Sequence, residues 1–318
     1  KKYPRNAIME IRDYGTTGAK TTALGLGGAF LTHRSFADGV ATVRKALDLG
    51  ITYFDTSPMY CSGASQAVLG EALDGIDGDF LLATKLGYFT EPSRFHSREA
   101  LITQFEENLR LLRRDQVDTL QLHEADMHHW WSDDAASSDR ILPEHDYAFD
   151  EAPALAALRE LKASGRCRFI GISGNSADDM SRVLQNTTVD TFLLAFNYDL
   201  LRRGARQVLP IAGERGITKL IGAIFQRGLS RPQPELLDDP PNWMTADLVE
   251  GYRRVYALQK ESGLSLAAIG VRYMLAQPEP DTIIIGAASP AEIEECVQAA
   301  EQGALPEDLY QEIEALCD

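Results

Sequence analysis

Four side chains suited to proton transfer at a carbonyl stand at or just past the ends of apolar runs. Asp55 closes "ITYFD", Tyr60 follows it by five residues, Lys85 closes "FLLATK" and His123 closes "VDTLQLH". A lysine turned from a strand end into a cavity is partly desolvated and needs a counter-ion, which Asp55 can supply. A phenol beside that ammonium has its anionic form stabilised. Its pKa is therefore expected to fall from the free value of about 10 towards working pH. Such a phenol can protonate a carbonyl oxygen and take the proton back in reverse, with His123 orienting the carbonyl or sharing the transfer. Singly, each residue has a structural explanation: a turn-forming Asp, a solvated Lys, a His satisfied by its neighbours. The chemistry requires that the fold bring all four to one place.

Eight apolar runs can do this: residues 23–30, 51–55, 80–85, 117–123, 168–173, 189–196, 218–224 and 281–287. They are rich in Val, Ile, Leu and Phe, as buried parallel strands are. Between them lie stretches of helical period. Phe36, Val40, Val43, Ala46 and Leu47 share one face before the stop at Gly50. Leu101, Phe105, Leu109 and Leu112 form another stripe behind Ser97 as N-cap. Eight strand–helix units predict an α/β fold, a single (β/α)8 TIM barrel over residues 1–318, in which the strand ends converge on one mouth. The segment "MEIRDYGTTGAKTTAL" predicts a hairpin plugging the other end. Long loops at 124–150 and 227–246 fall at the C-terminal face, where long loops are functional or mobile.

At 318 residues the chain suits such a barrel, which takes about 250 residues before additions. A net charge of −16 argues against nucleic-acid binding, which needs a basic stripe, and against affinity for anionic membranes. Cys61, Cys167, Cys296 and Cys317 show no metal or redox spacing and read as reduced thiols. No run approaches the roughly 20 apolar residues of a membrane span. Residues 1–15 lack a signal-peptide core. The expected protein is soluble and cytoplasmic; its oligomeric state is not readable.

The chain resembles the aldo-keto reductase superfamily over nearly its whole length. "ALGLGGAF", "FDTSPMY", "LGEAL", "LLATKLG", "VDTLQLH" and "LRELKASGRCRFIGIS" follow the family's order and spacing. The resemblance implies Tyr60 as acid/base, Lys85 lowering its pKa, Asp55 holding Lys85 and His123 orienting the substrate. It also implies a nicotinamide cofactor as hydride carrier. The cofactor residues it implies are Gly27, Gly28, Asp55, Ser173, Asn175, Asn197, Gln226, Arg227, Gly228, Gly286, Ala288, Ser289, Glu292 and Glu295. Phe30, Trp130 and Trp131 join Tyr60 and His123 on the substrate side, the indoles as a stacking platform for a sugar.

Departures from the family pattern refine this. Gly174 stands in the usual Asn slot, Ala195 in a Gln slot and Gly222 where an aromatic commonly stacks on the nicotinamide. These changes resemble the NAD-linked galactose and aldose dehydrogenases. Glu292 stands where NADP-preferring members often carry a cation; a carboxylate repels a 2′-phosphate but accepts a hydrogen bond from a 2′-hydroxyl. The expected cofactor is NAD in preference to NADP, with Arg227 as the competing phosphate ligand. The expected reaction interconverts a carbonyl and an alcohol, on a sugar or polyol-like substrate. Two alternatives stand beside it: a general NADPH-dependent aldehyde or ketone reductase, and a cofactor-sensing regulatory subunit like those of potassium channels. His128, His129, Glu144, His145 and Asp146 carry metal-ligating atoms, but no metal is expected, because adjacent histidines on regular structure face apart and the family chemistry needs none.

Overall fold

A hairpin comes first in the computed structural model, which describes residues 9–76, 78–134 and 139–317. Its strands β1 (Ile11–Asp13) and β2 (Lys20–Thr22) pair antiparallel, with Ile11 opposite Thr22. The turn between them carries Tyr14, fully buried, whose ring lies 5.9 Å from that of Tyr53 and 5.6 Å from that of Phe169. Its hydroxyl is 2.9 Å from Thr119 Oγ1. The hairpin therefore closes the N-terminal end of the barrel with an aromatic side chain, as its pattern predicted.

The eight apolar runs form eight parallel strands in a closed ring. In chain order they are β3 (Leu24–Gly27), β4 (Tyr53–Asp55), β5 (Leu81–Leu86), β6 (Val117–Leu122), β7 (Cys167–Gly174), β8 (Thr191–Ala195), β9 (Thr218–Gly222) and β10 (Thr282–Gly286). β10 pairs with both β9 and β3, so no edge remains. Tyr14, Tyr53, Leu81, Ala83, Phe169, Leu193, Leu220 and Ile284 fill the interior. The helices that follow the strands bury a second, larger apolar shell against their outer faces. The architecture is a (β/α)8 barrel.

The helices start where capping chemistry places them. Ser35 caps α1 (Phe36–Asp48) by accepting from Asp38 N, and Ser97 caps α3 (Arg98–Leu112) by accepting from Ala100 N. Leu101, Phe105, Leu109 and Leu112 are buried as their spacing predicted. On α1 the buried stripe is Gly39, Thr42, Val43 and Ala46, while Phe36 in the first turn remains exposed. Strands run shorter than the apolar runs where the chain must turn: residues 28–30 form a 3₁₀ turn beyond β3.

Backbone strain concentrates at the mouth. Among the described residues eight non-glycine residues have positive φ, and seven of them lie just past strand C-terminal ends: Cys61, Ser62, Tyr88, Glu124, Phe196, Ala223 and Gln226. The eighth, Arg113, is the C-cap of α3. Each such residue costs on the order of 1–3 kcal/mol and persists only where its surroundings over-determine it. That distribution marks the C-terminal face as the place where the fold holds side chains in set positions.

Candidate active site

Lys85 on β5 is fully buried, and Asp55 at the end of β4 is 2% exposed. Lys85 Nζ donates to Asp55 Oδ1, to the Thr56 carbonyl at 2.9 Å and to the Tyr60 hydroxyl at 3.3 Å. All three ammonium protons are thus used. The ammonium also lies 4.6 Å from the Tyr60 ring centroid. From the other side the His123 ring meets the Tyr60 ring edge-on, at 5.4 Å and 88°. Asn108 on α3 donates to the Lys85 carbonyl at 2.9 Å, which locks the strand that carries the ammonium. The fold thus gathers the four residues that spacing alone left scattered.

Their protonation differs in one respect from the expectation. Burial raises the Tyr60 pKa and outweighs the lowering by Lys85, so the phenol lies above its usual value rather than below it. Asp55 and Glu124 add to the rise with their negative charge. Tyr60 rests as the neutral acid, ready to donate. Burial pulls the Lys85 ammonium down, but the charge of Asp55 and the neighbouring phenol carry it above its ordinary value. His123 is pushed well below its usual value by burial and then by the charge of Lys85, so it is a neutral imidazole. Ser57 Oγ accepts from Met59 N–H and lies 2.8 Å from His123 Nδ1. With the hydroxyl donating to Nδ1, the imidazole carries its proton on Nε2, free to bind an oxygen.

The residues expected to hold a cofactor are at the mouth, but several are engaged with one another. Ser173 at the end of β7 donates to the Leu122 carbonyl at 3.1 Å and accepts from Glu124 N. Asn175 donates its amide to Glu124 Oε1 at 2.6 Å. Asn197 donates to the carbonyls of Asn175 and Ala195 at 2.8 and 2.6 Å. Gln226 donates to Asp199 Oδ2 and to the Phe196 carbonyl. These amides tie together the loops beyond β6, β7, β8 and β9. Arg227 is exposed with no ion pair among the described residues, and Gly228 packs against Tyr252 and Tyr256. Gly27 and Gly28 serve close packing: a Cβ on Gly28 would lie 2.2 Å from Ser65 Oγ and 3.1 Å from the Asp55 carbonyl.

Two expectations are corrected. Glu292 is no bare carboxylate: it accepts from Ala288 N–H at 2.8 Å and pairs with Arg34 at 2.8 Å. Glu292 stands at the third position of α10 (Pro290–Glu301), behind the N-cap Ser289, and reaches back over the helix start as in a capping box. Glu295, one turn on, accepts from Ser265 Oγ at 2.6 Å. Second, Trp130 is fully buried and Trp131 is 8% exposed. Their indole N–H groups donate to the carbonyls of His123 and Ala125 at 2.9 and 2.6 Å, so they form the core of the 124–150 loop rather than a platform for a sugar. Phe30 is 52% exposed and lies over Gly286, where a Cβ would come within 2.5 Å of its ring. That places it beside the segment expected to bind phosphate. The histidines weighed as metal ligands have other partners: His128 Nδ1 lies 2.6 Å from the Tyr147 hydroxyl and Nε2 2.7 Å from Asp134.

A Cβ on Gly222 would be in ordinary contact with Leu193 and Ala195, at 3.7 and 3.9 Å, so the end of β9 is not closed by tight packing there. β10 leads directly to the N-terminus of α10, a suitable seat for a phosphate. Gly286 ends β10, and Ala288 and Ser289 lead into that helix start.

Sequence reasoning missed four residues. Tyr88 meets the His123 ring at 4.8 Å. Glu124 holds Asn175, and Asp126 accepts from Asn175 N and Ser176 N at 2.8 Å each. Phe196, 49% exposed, stands one residue past Ala195, the partner of Gly222 in the sheet register. Only Glu124 carried a signal, as an acid directly following a strand-end His.

Residues 23–318 match the model of the Aldo/keto reductase family. L-galactose dehydrogenase of Arabidopsis thaliana is 30% identical over 325 residues, covering 98% of this chain and 95% of the relative. Pyridoxal 4-dehydrogenase of Microbacterium luteolum is 26% identical, with 95% of each chain covered. The solved structure of aldo-keto reductase AKR11C1 from Bacillus halodurans, in its holo form, superposes with a TM-score of 0.76 at 25% identity, covering 98% of this chain and 97% of its own.

Proposed function

The chain belongs to the Aldo/keto reductase family and is an oxidoreductase, and from that premise we propose that it interconverts the alcohol and carbonyl forms of a sugar or polyol-like substrate with a nicotinamide cofactor. The observation that carries the reading is the hydroxyl of Tyr60 at 3.3 Å from an ammonium that a buried Asp55 holds in place. The bound nicotinamide supplies or accepts the hydride. Tyr60 donates its proton to the carbonyl oxygen in reduction and receives it back in oxidation. The neutral His123 donates from Nε2 to the same oxygen and fixes its direction. Lys85 stabilises the phenolate that forms when the proton leaves, and Asp55 keeps Lys85 charged and still. The galactose dehydrogenase among the relatives favours a sugar and the oxidative direction.

We infer NAD in preference to NADP from Glu292, with the Arg34 pairing as the term against it. Replacing Glu292 by Gln frees Arg34 for a 2′-phosphate, and is expected to raise the NADP-to-NAD ratio of kcat/KM by about tenfold, one charge contact of about 1.4 kcal/mol. The function itself is tested by following nicotinamide absorbance in two directions. The protein is offered NAD or NADP with a panel of aldoses, and NADH or NADPH with simple aldehydes. Aldose oxidation favouring NAD supports the proposal. Aldehyde reduction with NADPH alone replaces it with a general reductase, and cofactor binding without turnover of any substrate replaces it with a regulatory subunit.

A further inference from the structure

Beside the catalytic group stands a second pair that the reaction itself does not require. Gly87, with φ of 128°, places Tyr88 over the mouth, and both backbone groups of Gly87 are clamped by the Gln104 side chain at 2.8 Å. A side chain at Gly87 would come within 2.8 Å of Trp130, so this arm is held from two directions. Tyr88 is 38% exposed, lies 4.8 Å from the His123 ring and has left-handed φ of 58°. Glu124 follows His123 with φ of 55° and is partly exposed. Burial raises the Tyr88 phenol first and the neighbouring Glu124 adds to the rise, so it stays protonated beside that carboxylate. The charge of Glu124 is felt as far as Tyr60.

Glu124 differs from its neighbouring acid. Asp126 is paired with Arg140, whereas among the described residues no Lys or Arg pairs with Glu124. Among the described residues its one side-chain hydrogen-bond donor is neutral, the amide of Asn175 on Oε1. A carboxylate has about four acceptor sites, so one such donor leaves capacity for more, and the Tyr88 oxygen can itself accept. The wall next to His123 thus offers acceptors to hydroxyl groups and an uncompensated negative charge to anything else.

We propose that Tyr88 and Glu124 form the substrate-selecting wall of this site, binding neutral polyhydroxylated molecules through their hydroxyl groups and excluding phosphorylated or carboxylated ones. The hydroxyl half of this proposal rests on the sugar reading above; the charge half does not. A carboxylate facing an anion in a partly desolvated cleft opposes it, and a site built to bind a hydroxyl discriminates against the analogue that lacks it.

Three aldehydes of one chain length test it in the reductive direction: propanal, glyceraldehyde and glyceraldehyde 3-phosphate. The wild-type protein is expected to prefer glyceraldehyde over each of the others by about tenfold or more in kcat/KM. Glu124→Gln is expected to raise the phosphate-to-neutral ratio by about tenfold, and Tyr88→Phe to lower the glyceraldehyde-to-propanal ratio by about fivefold, chiefly through KM. Thermal melts by circular dichroism report whether each variant folds, and the ratios are read within one variant, so a general loss of activity does not imitate the result. A wild-type protein without that preference, absence of turnover included, overturns the proposal. So do ratios that stay within about twofold in folded variants, because substrate contacts of this kind would move them. The sugar reading falls separately, if no aldose is oxidised with either cofactor.

Discussion

Replacing Tyr60 by Phe is expected to lower kcat/KM by about 10²–10⁴-fold in both directions, the contribution of a positioned acid/base. The exchange removes one hydroxyl and keeps the ring that meets His123 edge-on. Lys85 keeps Asp55 and the Thr56 carbonyl as partners, so the cost in stability is about 1 kcal/mol. Cofactor affinity, read by quenching of protein fluorescence, should stay within about twofold, because no contact that would hold the dinucleotide is removed. The pH profile separates this role from mere crowding. Burial holds the Tyr60 phenol above its usual value, so the acid form prevails through neutral pH. Reduction needs that form and should be flat up to about pH 10, whereas oxidation needs the proton gone and should rise with pH over the same range. In the Phe variant the rise should vanish. A variant that keeps a tenth of the wild-type rate, or keeps the alkaline rise, would remove Tyr60 from the reaction.

How much of this was legible in the sequence depended on whether one residue's surroundings were local. The barrel strands were readable because a buried parallel strand is a continuous apolar run, and one helix start because Ser97 announces its own cap. The association of Asp55, Tyr60, Lys85 and His123 was readable because parallel strands end on one face. Directions of pKa were not. The ammonium beside Tyr60 was foreseen, but the depth of its burial, which decides the sign, is set by residues distant in sequence. Trp130 and Trp131 were misread for the same reason. An aromatic pair in a polar loop looks like a binding platform until the loop folds back, and His123 and Ala125 supply the carbonyls that the two indoles need. Glu292 was read as free charge because Arg34, its partner, lies 258 residues away. Tyr88 had no signal at all: its position depends on the Gln104 clamp and on Gly87 fitting under Trp130.

Exchanging Lys85 for Met should give the second large loss, and a double variant separates its two causes. In Lys85→Met the Asp55 carboxylate stays buried without its counter-ion, and its Oδ2 has no hydrogen-bond partner among the described residues even in the intact site. Breaking a buried pair from one side costs about 3–5 kcal/mol, which denaturant titration would read as a lower midpoint at unchanged slope. Adding Asp55→Asn removes the stranded charge and should return stability to within about 1–2 kcal/mol of wild type, because a buried ion pair contributes little net. Activity should not return. The charge of Lys85 lowers Tyr60 against burial, and it also pushes His123 down. Without it the Tyr60 pKa moves further up and the His123 pKa moves back towards about 6.5. Oxidation, which needs the deprotonated phenol, should therefore fall more than reduction at neutral pH, with its limb displaced to higher pH. The acidic limb of reduction, set by protonation of His123, should move to higher pH, while burial still holds that group below its usual value. Recovery of both stability and turnover in the double variant would mean that Asp55 and Lys85 only hold the barrel mouth together, and that Tyr60 titrates without their help.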